Sequence, residues 1–259
     1  MEKRSEIAKV VLIPWNPNSS EHRQRLYEQR VACGWRSDMI EKWRTLQIDG
    51  KMAIQWVVLS DDDPDRDNKL ARHIIQFQSE KESILDSASL FGGKPRALPD
   101  TPRSFIPVGH ISLDSENADR SLADRSQGLY CISTFYISRA LQGNGLGRAA
   151  MDAVENMAAN EPLCAKALAL ETIAREFTRD EKPWKAFGIP YPVVCRRLFS
   201  LESAFTDCCS KVTNQDWYER RGYDVYKRVE QIYEHPDLSG KTWVVPTVFM
   251  QKSVTQSDS

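Results

Sequence analysis

The chain has 259 residues, of which 41% are hydrophobic and 27% charged, so it can bury a sizeable core and has the composition of a folded protein. Its 35 basic and 36 acidic side chains leave a net charge of −1, which gives no electrostatic basis for nucleic acid or a membrane surface as the main partner. The six cysteines lack paired C-x-x-C spacing and histidine is scarce, which predicts no metal site and a reduced, cytoplasmic protein.

The N-terminal part predicts a strand, two helices and a second strand. Ile7 to Ile13 is apolar but too short for a signal peptide, and no apolar run elsewhere approaches the length of a membrane span. Ser19 is a candidate N-cap for a helix that runs to about Ala32, and Asp38 to Glu41 has the capping-box form of a second helix. Met52 to Leu59 is apolar on both faces, which predicts a central strand.

A long connection, residues 60–105, follows this strand. It opens with the acidic run DDDPDRD, closes with PRALPDTPR and has helical spacing only in patches. Connections of this length are uncommon in compact domains. We expect a solvated insertion, or alternatively a flap that faces the substrate. Ile106 to Leu113 predicts the next strand, in which we expect His110 to be structural rather than catalytic.

The stretch from Leu129 to Ala158 combines a strand, a glycine-rich turn and a helix. Leu129 to Ile137 predicts a single, largely buried strand, and the following turn has glycine at three alternate positions: Gly143, Gly145 and Gly147. Apolar residues then recur three or four apart from Leu146 onward, and Glu161-Pro162 closes the helix. Backbone N–H groups at a helix start lack intrahelical partners, and glycine lets a phosphate approach them. We therefore predict binding of a cofactor that carries a pyrophosphate.

Two cofactor classes fit this stretch. Gly145, Gly147 and Ala150 satisfy the G-x-G-x-x-A dinucleotide pattern, with Glu171 near the place of an acidic ribose partner. In a dinucleotide fold, however, the strand runs almost directly into the first glycine within alternating βαβ units. Here residues 138–142 intervene and the following elements do not alternate in that way. An NAD(P)-dependent oxidoreductase is therefore the less favoured reading.

The spelling Gln142-Gly143-Asn144-Gly145-Leu146-Gly147 resembles the Q/R-x-x-G-x-G/A signature of the GCN5-related N-acetyltransferase (GNAT) superfamily. In that family the loop holds the pyrophosphate of acetyl-CoA, and the preceding strand pairs with the pantetheine arm. The resemblance implies a set of cofactor-binding residues: Phe135, Tyr136, Ile137, Gln142, Gly143, Asn144, Gly145, Leu146, Gly147 and Arg148.

A second stretch, NQDWYERRGY from Asn214 to Tyr223, resembles the N…YEK-x-G-F/Y element of the same superfamily. There a short helix delivers a tyrosine to the sulfur of CoA, and Tyr218 is the match. Asn214 would bind the pantetheine amide, although it lies four residues before Tyr218, whereas the family more often leaves seven. Gly222 is expected to end this helix.

These residues suit acetyl transfer to an amine, because the amine is itself the nucleophile. A tyrosine has a reference pKa of about 10, so it is protonated at neutral pH and can act as the acid for the departing thiolate. We therefore assign Tyr218 as the catalytic acid. Glu171, on the predicted strand Lys166 to Ile173, is the candidate base, with an ion-pair or surface role as the alternative. Ordered water serves as the base in many family members.

The resemblance implies an α/β fold with one GNAT-like domain over residues 1–252. Its central sheet would be mixed and mostly antiparallel, flanked by helices and splayed in the middle to form a CoA cleft. A second insertion, residues 174–213, is rich in aromatic residues, which would line an acceptor pocket or form a small core of their own. Tyr223 to Tyr233 and Trp243 to Lys252 predict a terminal hairpin, and residues 253–259 a disordered tail.

The expected activity is transfer of an acetyl group from acetyl-CoA to a primary amine of a small molecule, in a monomer or homodimer. The alternative within the same fold is a non-catalytic module that binds acyl-CoA. Neutral overall charge and two insertions that could cover the cleft favour a small amine over a protein tail. No metal, nucleic acid or membrane is expected to take part.

Overall fold

The helices and strands follow the predicted order along the chain. The computed structural model describes residues 9–98, 100–101, 103–186, 212–232 and 237–254, without the side chains of 231 and 232. In chain order the elements are β1 (Val10–Pro14), α1 (Ser20–Cys33), α2 (Ile40–Ile48), β2 (Met52–Leu59), α3 (Arg66–Gln76), β3 (Ile84–Leu85), β4 (Leu90–Phe91), β5 (Lys94–Pro95), β6 (Ser104–Phe105), β7 (Pro107–Asp114), β8 (Leu129–Ile132), β9 (Phe135–Ile137), α4 (Leu146–Ala159), β10 (Ala167–Ile173), α5 (Arg175–Arg179), α6 (Glu181–Ala186), α7 (Asn214–Glu219), β11 (Asp224–Ile232) and β12 (Val244–Ser253).

The chain divides into two compact units. Unit 1 comprises residues 1–168 with 253–259, and unit 2 comprises residues 169–252. In the described part of the chain, no helix is long and apolar enough to cross a membrane. The predicted fold class is confirmed: α/β, with a mostly antiparallel sheet flanked by helices. A single domain over residues 1–252 stays a prediction.

In unit 1 the strands β1, β2, β7 and β8 are neighbours in that order, and β9 also pairs with β7. The β1–β2, β2–β7 and β7–β9 pairs are antiparallel. All eight residues of β2 are buried, as predicted for a central strand. One face of this sheet packs on α1 and α2 through a core that includes Trp15, Leu26, Trp43 and Trp56, while α4 packs against β1 and β7.

The predicted N-cap is confirmed for α1 and is wrong for α2. Ser19 caps α1 as predicted, its hydroxyl accepting from the His22 N–H. The capping box predicted for the second helix is wrong. Residues Ser37–Met39 form a separate 3₁₀ turn, and the N-cap of α2 is Met39, with no side-chain cap hydrogen bond. Arg36, the residue before this turn, has a positive φ of 55°. Asp38 lies within the turn and is therefore not the N-cap of α2.

The strand predicted over Leu129 to Ile137 is wrong in one respect, because it is interrupted at Ser133 and Thr134. The Thr134 N–H donates to the Ser112 hydroxyl at 3.1 Å, and the Ser112 N–H donates to the Thr134 carbonyl at 2.9 Å. A side-chain oxygen of β7 thus takes an acceptor position that a backbone carbonyl fills in a regular ladder. β8 and β9 are separate strands for this reason.

Gly109 permits the close pairing of β7 with β9. A Cβ on this residue would lie 2.2 Å from the Tyr136 carbonyl oxygen. No side chain fits at that distance, so only glycine allows the backbone of β9 to approach here.

The described part of residues 60–105 contains α3 and the four short strands β3 to β6, and its role as a solvated insertion or as a flap stays a prediction. A buried polar network attaches the segment to the sheet and to α1. The Gln29 amide donates to Glu80 at 2.8 Å and to the Pro107 carbonyl at 3.0 Å. His73 contacts Glu80 at 3.5 Å and the Ser138 hydroxyl at 2.8 Å. Gln29, His73 and Glu80 are all at most 1% exposed.

In unit 2, β12 lies between β10 and β11, and the β11–β12 hairpin is antiparallel as predicted. Ser253 is the last residue of β12 rather than the first of a tail, and residues 255–259 lie outside the described part. Phe177 packs edge-on against Trp184 and Trp243, at ring-centroid distances of 6.2 and 6.4 Å. These contacts are compatible with a small core, and the alternative of an acceptor pocket stays open. The others that we named in this insertion, Phe187, Tyr191, Phe199 and Phe205, lie outside the described residues.

Candidate functional site

The glycine-rich loop of unit 1 joins β9 to α4 through a 3₁₀ turn at Arg139–Leu141. Gly143 and Gly145 have positive φ angles of 84° and 79°, in the left-handed region that glycine occupies without strain. Gly145 is the N-cap of α4, and the helix begins at Leu146, as predicted. Gly147 lies in the first turn of the helix, so the motif places two glycines in the turn and one on the helix.

The polar side chains of this loop bond back to the loop itself. The Gln142 amide donates to the Ile137 carbonyl at 3.3 Å, and the Asn144 amide donates to the Leu141 carbonyl at 2.9 Å. Leu146 is buried and anchors the helix start, whereas Gly143, Gly145 and Arg148 are exposed. The side chains of Gln142 and Asn144 therefore shape the turn, while the exposed backbone is the surface available to a ligand.

The N-terminus of α4 favours an anion. The first intrahelical bond recorded here runs from the Ala149 N–H to the Gly145 carbonyl, so the preceding amides point out of the helix at its positive end. Lys9 adds a second positive charge: a Cβ built on Gly145 would lie 3.3 Å from its Nζ atom. The charge of Lys9 also acts on the carboxylate of Asp63, and together with the helix N-terminus it favours an anion at the loop. Nothing in the sequence identified Lys9, because its proximity to the loop depends on the packing of α4 against β1.

Strand β9 contributes its backbone rather than its side chains. Tyr136 is 5% exposed, and its ring packs against His110 at a centroid distance of 5.7 Å. Burial, followed by the charge of Glu80, raises the pKa of Tyr136, against the opposing effect of the Arg139 backbone. Ile137 is buried and Phe135 is half-buried. Most of the side-chain surface of β9 is therefore enclosed, and the pairing of this strand with an extended ligand stays a prediction.

His110 is a buried structural residue, as predicted. Its Nδ1 atom lies 2.9 Å from the Gln29 amide oxygen, and its Nε2 atom lies 3.4 Å from Arg30. Burial, followed by the charge of Arg30, holds the pKa of His110 well below its usual value, so the ring is neutral. Since the side chain is fully enclosed, His110 is not accessible to a substrate.

In unit 2, α7 is a helix of six residues, Asn214–Glu219, with a capping box between Thr213 and Asp216. Asn214 is exposed and is the first residue of the helix. The helix is short, as the four-residue spacing from Asn214 to Tyr218 predicted. The Tyr218 ring is half-buried and stacks edge-on against Trp217 and Tyr223, at centroid distances of 5.0 and 5.8 Å. Gly222 follows the helix with a positive φ of 86°.

Two arginines of α5 form ion pairs with α7, and no pattern in the sequence predicted these contacts. Arg175 pairs with Asp216 at 2.7 Å and with Glu219, and Arg179 pairs with Asp216 at 2.8 Å. The Arg175 N–H also donates to the Gln215 side chain at 2.8 Å. The contacts of Arg175 and Arg179 hold the tyrosine-bearing helix against α5.

Glu171 is half-buried near the end of β10, where the strand changes from buried to half-buried positions.

Residues 61–179 match the acetyltransferase (GNAT) family. The resemblance to the GNAT superfamily is confirmed. The matched residues contain the loop from Gln142 to Arg148 and the strand that precedes it. No curated protein matches the sequence.

Solved GNAT structures are similar to this chain over nearly its whole length. An acetyltransferase of the GNAT family from Desulfovibrio desulfuricans is 12% identical, with 95% of this chain and 99% of that chain covered and a TM-score of 0.47. Arabidopsis thaliana NAA60 in complex with acetyl-CoA is 12% identical, with coverage of 94% and 98% and a TM-score of 0.46. An aminoglycoside 6'-N-acetyltransferase complexed with coenzyme A is 10% identical, with coverage of 96% and 99% and a TM-score of 0.47. At such identities the similarity carries no information about the substrate.

Among the described residues, no group of three or more His, Cys, Asp or Glu side chains is arranged to hold a metal ion. The groups that could contact a cofactor are instead the exposed backbone amides of the glycine-rich loop, the backbone of β9 and the half-buried hydroxyl of Tyr218.

Proposed function

We propose that this GNAT-family chain is an acetyl-CoA-dependent N-acetyltransferase that acts on a primary amine of a small molecule. The observation that carries the proposal is the anion-binding form of the loop from Gln142 to Arg148. Its two left-handed glycines, the amides at the start of α4 and the ammonium group of Lys9 together suit a pyrophosphate.

The cofactor would extend from this loop along β9. The amides of the loop bind the pyrophosphate, and the backbone of Phe135, Tyr136 and Ile137 pairs with the pantetheine arm. β7 is the pairing partner of β9 in the described part of the chain, and a strand has two hydrogen-bonding edges. Asn214, exposed at the start of α7, is the proposed partner of the pantetheine amide.

The reaction proceeds by direct attack of the amine on the thioester carbonyl. Backbone N–H groups of β9 stabilise the negative charge that develops on the carbonyl oxygen. Tyr218 donates a proton to the thiolate as the carbon–sulfur bond breaks. Glu171 is the base suggested by the sequence, acting directly or through water.

Binding of acetyl-CoA is the first expected result. A ligand at about a hundred times its dissociation constant adds roughly 2.7 kcal/mol to the free energy of unfolding. Acetyl-CoA should therefore raise the melting temperature clearly, and NAD(P) should leave it unchanged, as measured by a thermal shift assay. A rise with NAD(P) and none with acetyl-CoA would overturn the proposal. A rise without thiol release on any amine would point to the non-catalytic module.

Gly143→Ala should weaken acetyl-CoA binding by about tenfold or more. The added methyl group meets no atom within 4 Å, so the folded chain has room for it. It stands instead on the exposed loop surface, where it hinders a phosphate. Loss of one hydrogen bond to a charged group corresponds to about 1.5–3 kcal/mol, or a tenfold or larger rise in the dissociation constant. Calorimetric titration measures the effect.

Gly34→Ala is the matched control. Gly34 ends α1 with a φ of 86°, against 84° at Gly143, and a Cβ there also meets no atom within 4 Å. Both variants carry the same left-handed strain of about 1–2 kcal/mol. We expect only Gly143→Ala to alter the acetyl-CoA affinity. Equal affinities in the two variants would exclude the loop as the phosphate site.

The acceptor is best identified by a panel of primary amines, with free thiol as the readout. Small-molecule amines should release thiol faster than peptides with a free N-terminus. The opposite ranking would replace the small-molecule class by a protein acceptor.

A further inference from the structure

The side chains of two serines and one aspartate meet at the break between β8 and β9. The Ser112 hydroxyl lies 2.9 Å from the Ser133 hydroxyl and 3.4 Å from a carboxylate oxygen of Asp114. The Ser133 side chain also lowers the pKa of Asp114, so the two groups interact. The same break places the Thr134 amide on the Ser112 hydroxyl at 3.1 Å. The two serines and the carboxylate therefore form one connected group.

The group has a buried end and an accessible end. Asp114 and Ser112 are 9% and 0% exposed, whereas Ser133 is half-buried between buried residues on either side. Ser133 is therefore the most exposed member of the group. Ser133 also stands two residues before Phe135, where the strand proposed to hold the pantetheine arm begins. Ser133 is thus close in sequence to the strand proposed to hold the pantetheine arm.

The electrostatics of Asp114 suit exchange of a proton near neutral pH. Burial raises its pKa to about 7, against the opposing effects of Ser133, Ser112 and the charge of Arg36 in the loop between α1 and α2. His110 and Tyr136, which are titratable groups on β7 and β9, remain neutral, because burial lowers the pKa of the histidine and raises that of the tyrosine. The cross-strand partner of Asp114 on β8 is the buried thiol of Cys131. A base is most effective when its pKa lies near the working pH.

We propose that Ser133 contacts the acceptor amine and relays its proton to Asp114, an inference that rests on the proposed acetyltransferase function. The attacking ammonium group loses a proton to the Ser133 oxygen, while the Ser133 proton passes to the Ser112 oxygen and the Ser112 proton passes to the carboxylate of Asp114. The amine nitrogen then bonds to the carbonyl carbon, the carbon–sulfur bond breaks and Tyr218 protonates the thiolate. Asp114 returns its proton to water through Ser133 before the next cycle. Ser133 is the catalytic residue of this relay, and Asp114 is a positioning residue that acts through it.

The test is the pH dependence of kcat/KM in four variants of the full chain. In the wild type, activity should rise through an acid limb near pH 7, where Asp114 loses its proton. Asp114→Asn should lower kcat/KM at pH 8 by about 10²-fold and abolish that limb. Ser133→Ala should lower kcat/KM by a similar factor. It should also move the acid limb of the pH profile to higher pH, because the hydroxyl that lowers the pKa of Asp114 is lost. Ser133→Thr, which keeps the hydroxyl, should restore most of the activity.

Acetyl-CoA binding separates this inference from the proposed function. Each variant should keep the wild-type thermal shift with acetyl-CoA, which shows that it is folded and binds the cofactor. Glu171→Gln is the comparison for the base suggested by the sequence. If Asp114→Asn keeps the acid limb while Glu171→Gln loses it, the relay is wrong and acetyl transfer stands. If the wild type binds acetyl-CoA but acetylates no amine at any pH, the proposed function fails and the relay fails with it.

Discussion

Tyr218→Phe is expected to lower kcat by about 10²-fold or more while the dissociation constant of acetyl-CoA stays unchanged. The substitution removes only the hydroxyl that would protonate the departing thiolate, and general acid catalysis contributes typically 10²–10⁴-fold. The ring itself should stay in place, because Trp217 and Tyr223 contact it from two sides. An interaction made only in the transition state lowers kcat and kcat/KM equally when it is lost. Steady-state thiol release together with calorimetric titration tests both halves of the prediction.

Tyr226→Phe is the matched control for this variant. It is the same substitution in the same unit, at a tyrosine of β11 that is 40% exposed. Its turnover should equal that of the wild type. If Tyr218→Phe also turned over at the wild-type rate, Tyr218 would have no role as the acid, and its position would reflect packing alone.

Gln29→Leu is expected to lower the free energy of unfolding of unit 1 by about 4 kcal/mol. Gln29 is fully buried and satisfies three groups: the Nδ1 of His110 at 2.9 Å, the carboxylate of Glu80 at 2.8 Å and the Pro107 carbonyl at 3.0 Å. Leucine fills a similar volume but leaves these groups without that partner. Each buried polar group that loses its partner costs about 1–3 kcal/mol. Urea unfolding monitored by tryptophan fluorescence measures the decrease in the free energy of unfolding, since Trp15 and Trp56 lie in the core of unit 1.

Gln24→Leu supplies the comparison on the same helix. Gln24 lies on the exposed side of α1, where its amide contacts Glu28 at 3.0 Å in solvent. Surface substitutions of this kind usually change stability by about 0.5 kcal/mol or less. Similar losses in the two leucine variants would show that the buried network contributes nothing beyond helix propensity, and that residues 60–105 are held by apolar packing alone.

Local patterns in the sequence were sufficient for most of the elements. Met52–Leu59 is a central strand with the predicted bounds, Ser19 caps α1, and the helix after the glycine motif begins at Leu146. Each of these features depends on residues within one or two turns of each other, so its physical cause is contained in a short stretch. Phosphate-binding loops are of the same kind, because the glycines and the helix amides are adjacent in the chain.

Predictions failed where a distant residue supplied a competing interaction. The strand over Leu129 to Ile137 is broken because Ser112, from an earlier strand, accepts a hydrogen bond from Thr134. The described part of residues 60–105 contains a helix and short strands that the sequence did not predict, and Gln29 of α1 and Ser138 of the later loop contact Glu80 and His73 of this segment. Neither partner is visible from the composition of the segment, which is acidic at one end and proline-rich at the other.

The sequence by itself determined the GNAT resemblance, the order of the elements and the glycine-rich loop, since these follow from spacing and residue type over short distances. Only the tertiary structure decided which polar groups meet: Lys9 with the start of α4, Arg175 with α7, and Asp114 with Ser133. These meetings depend on strand register and helix packing, which bring together residues far apart in the chain. Burial then sets the charge state of the carboxyl group, because removing a carboxylate from water changes its pKa in a way that no local pattern encodes.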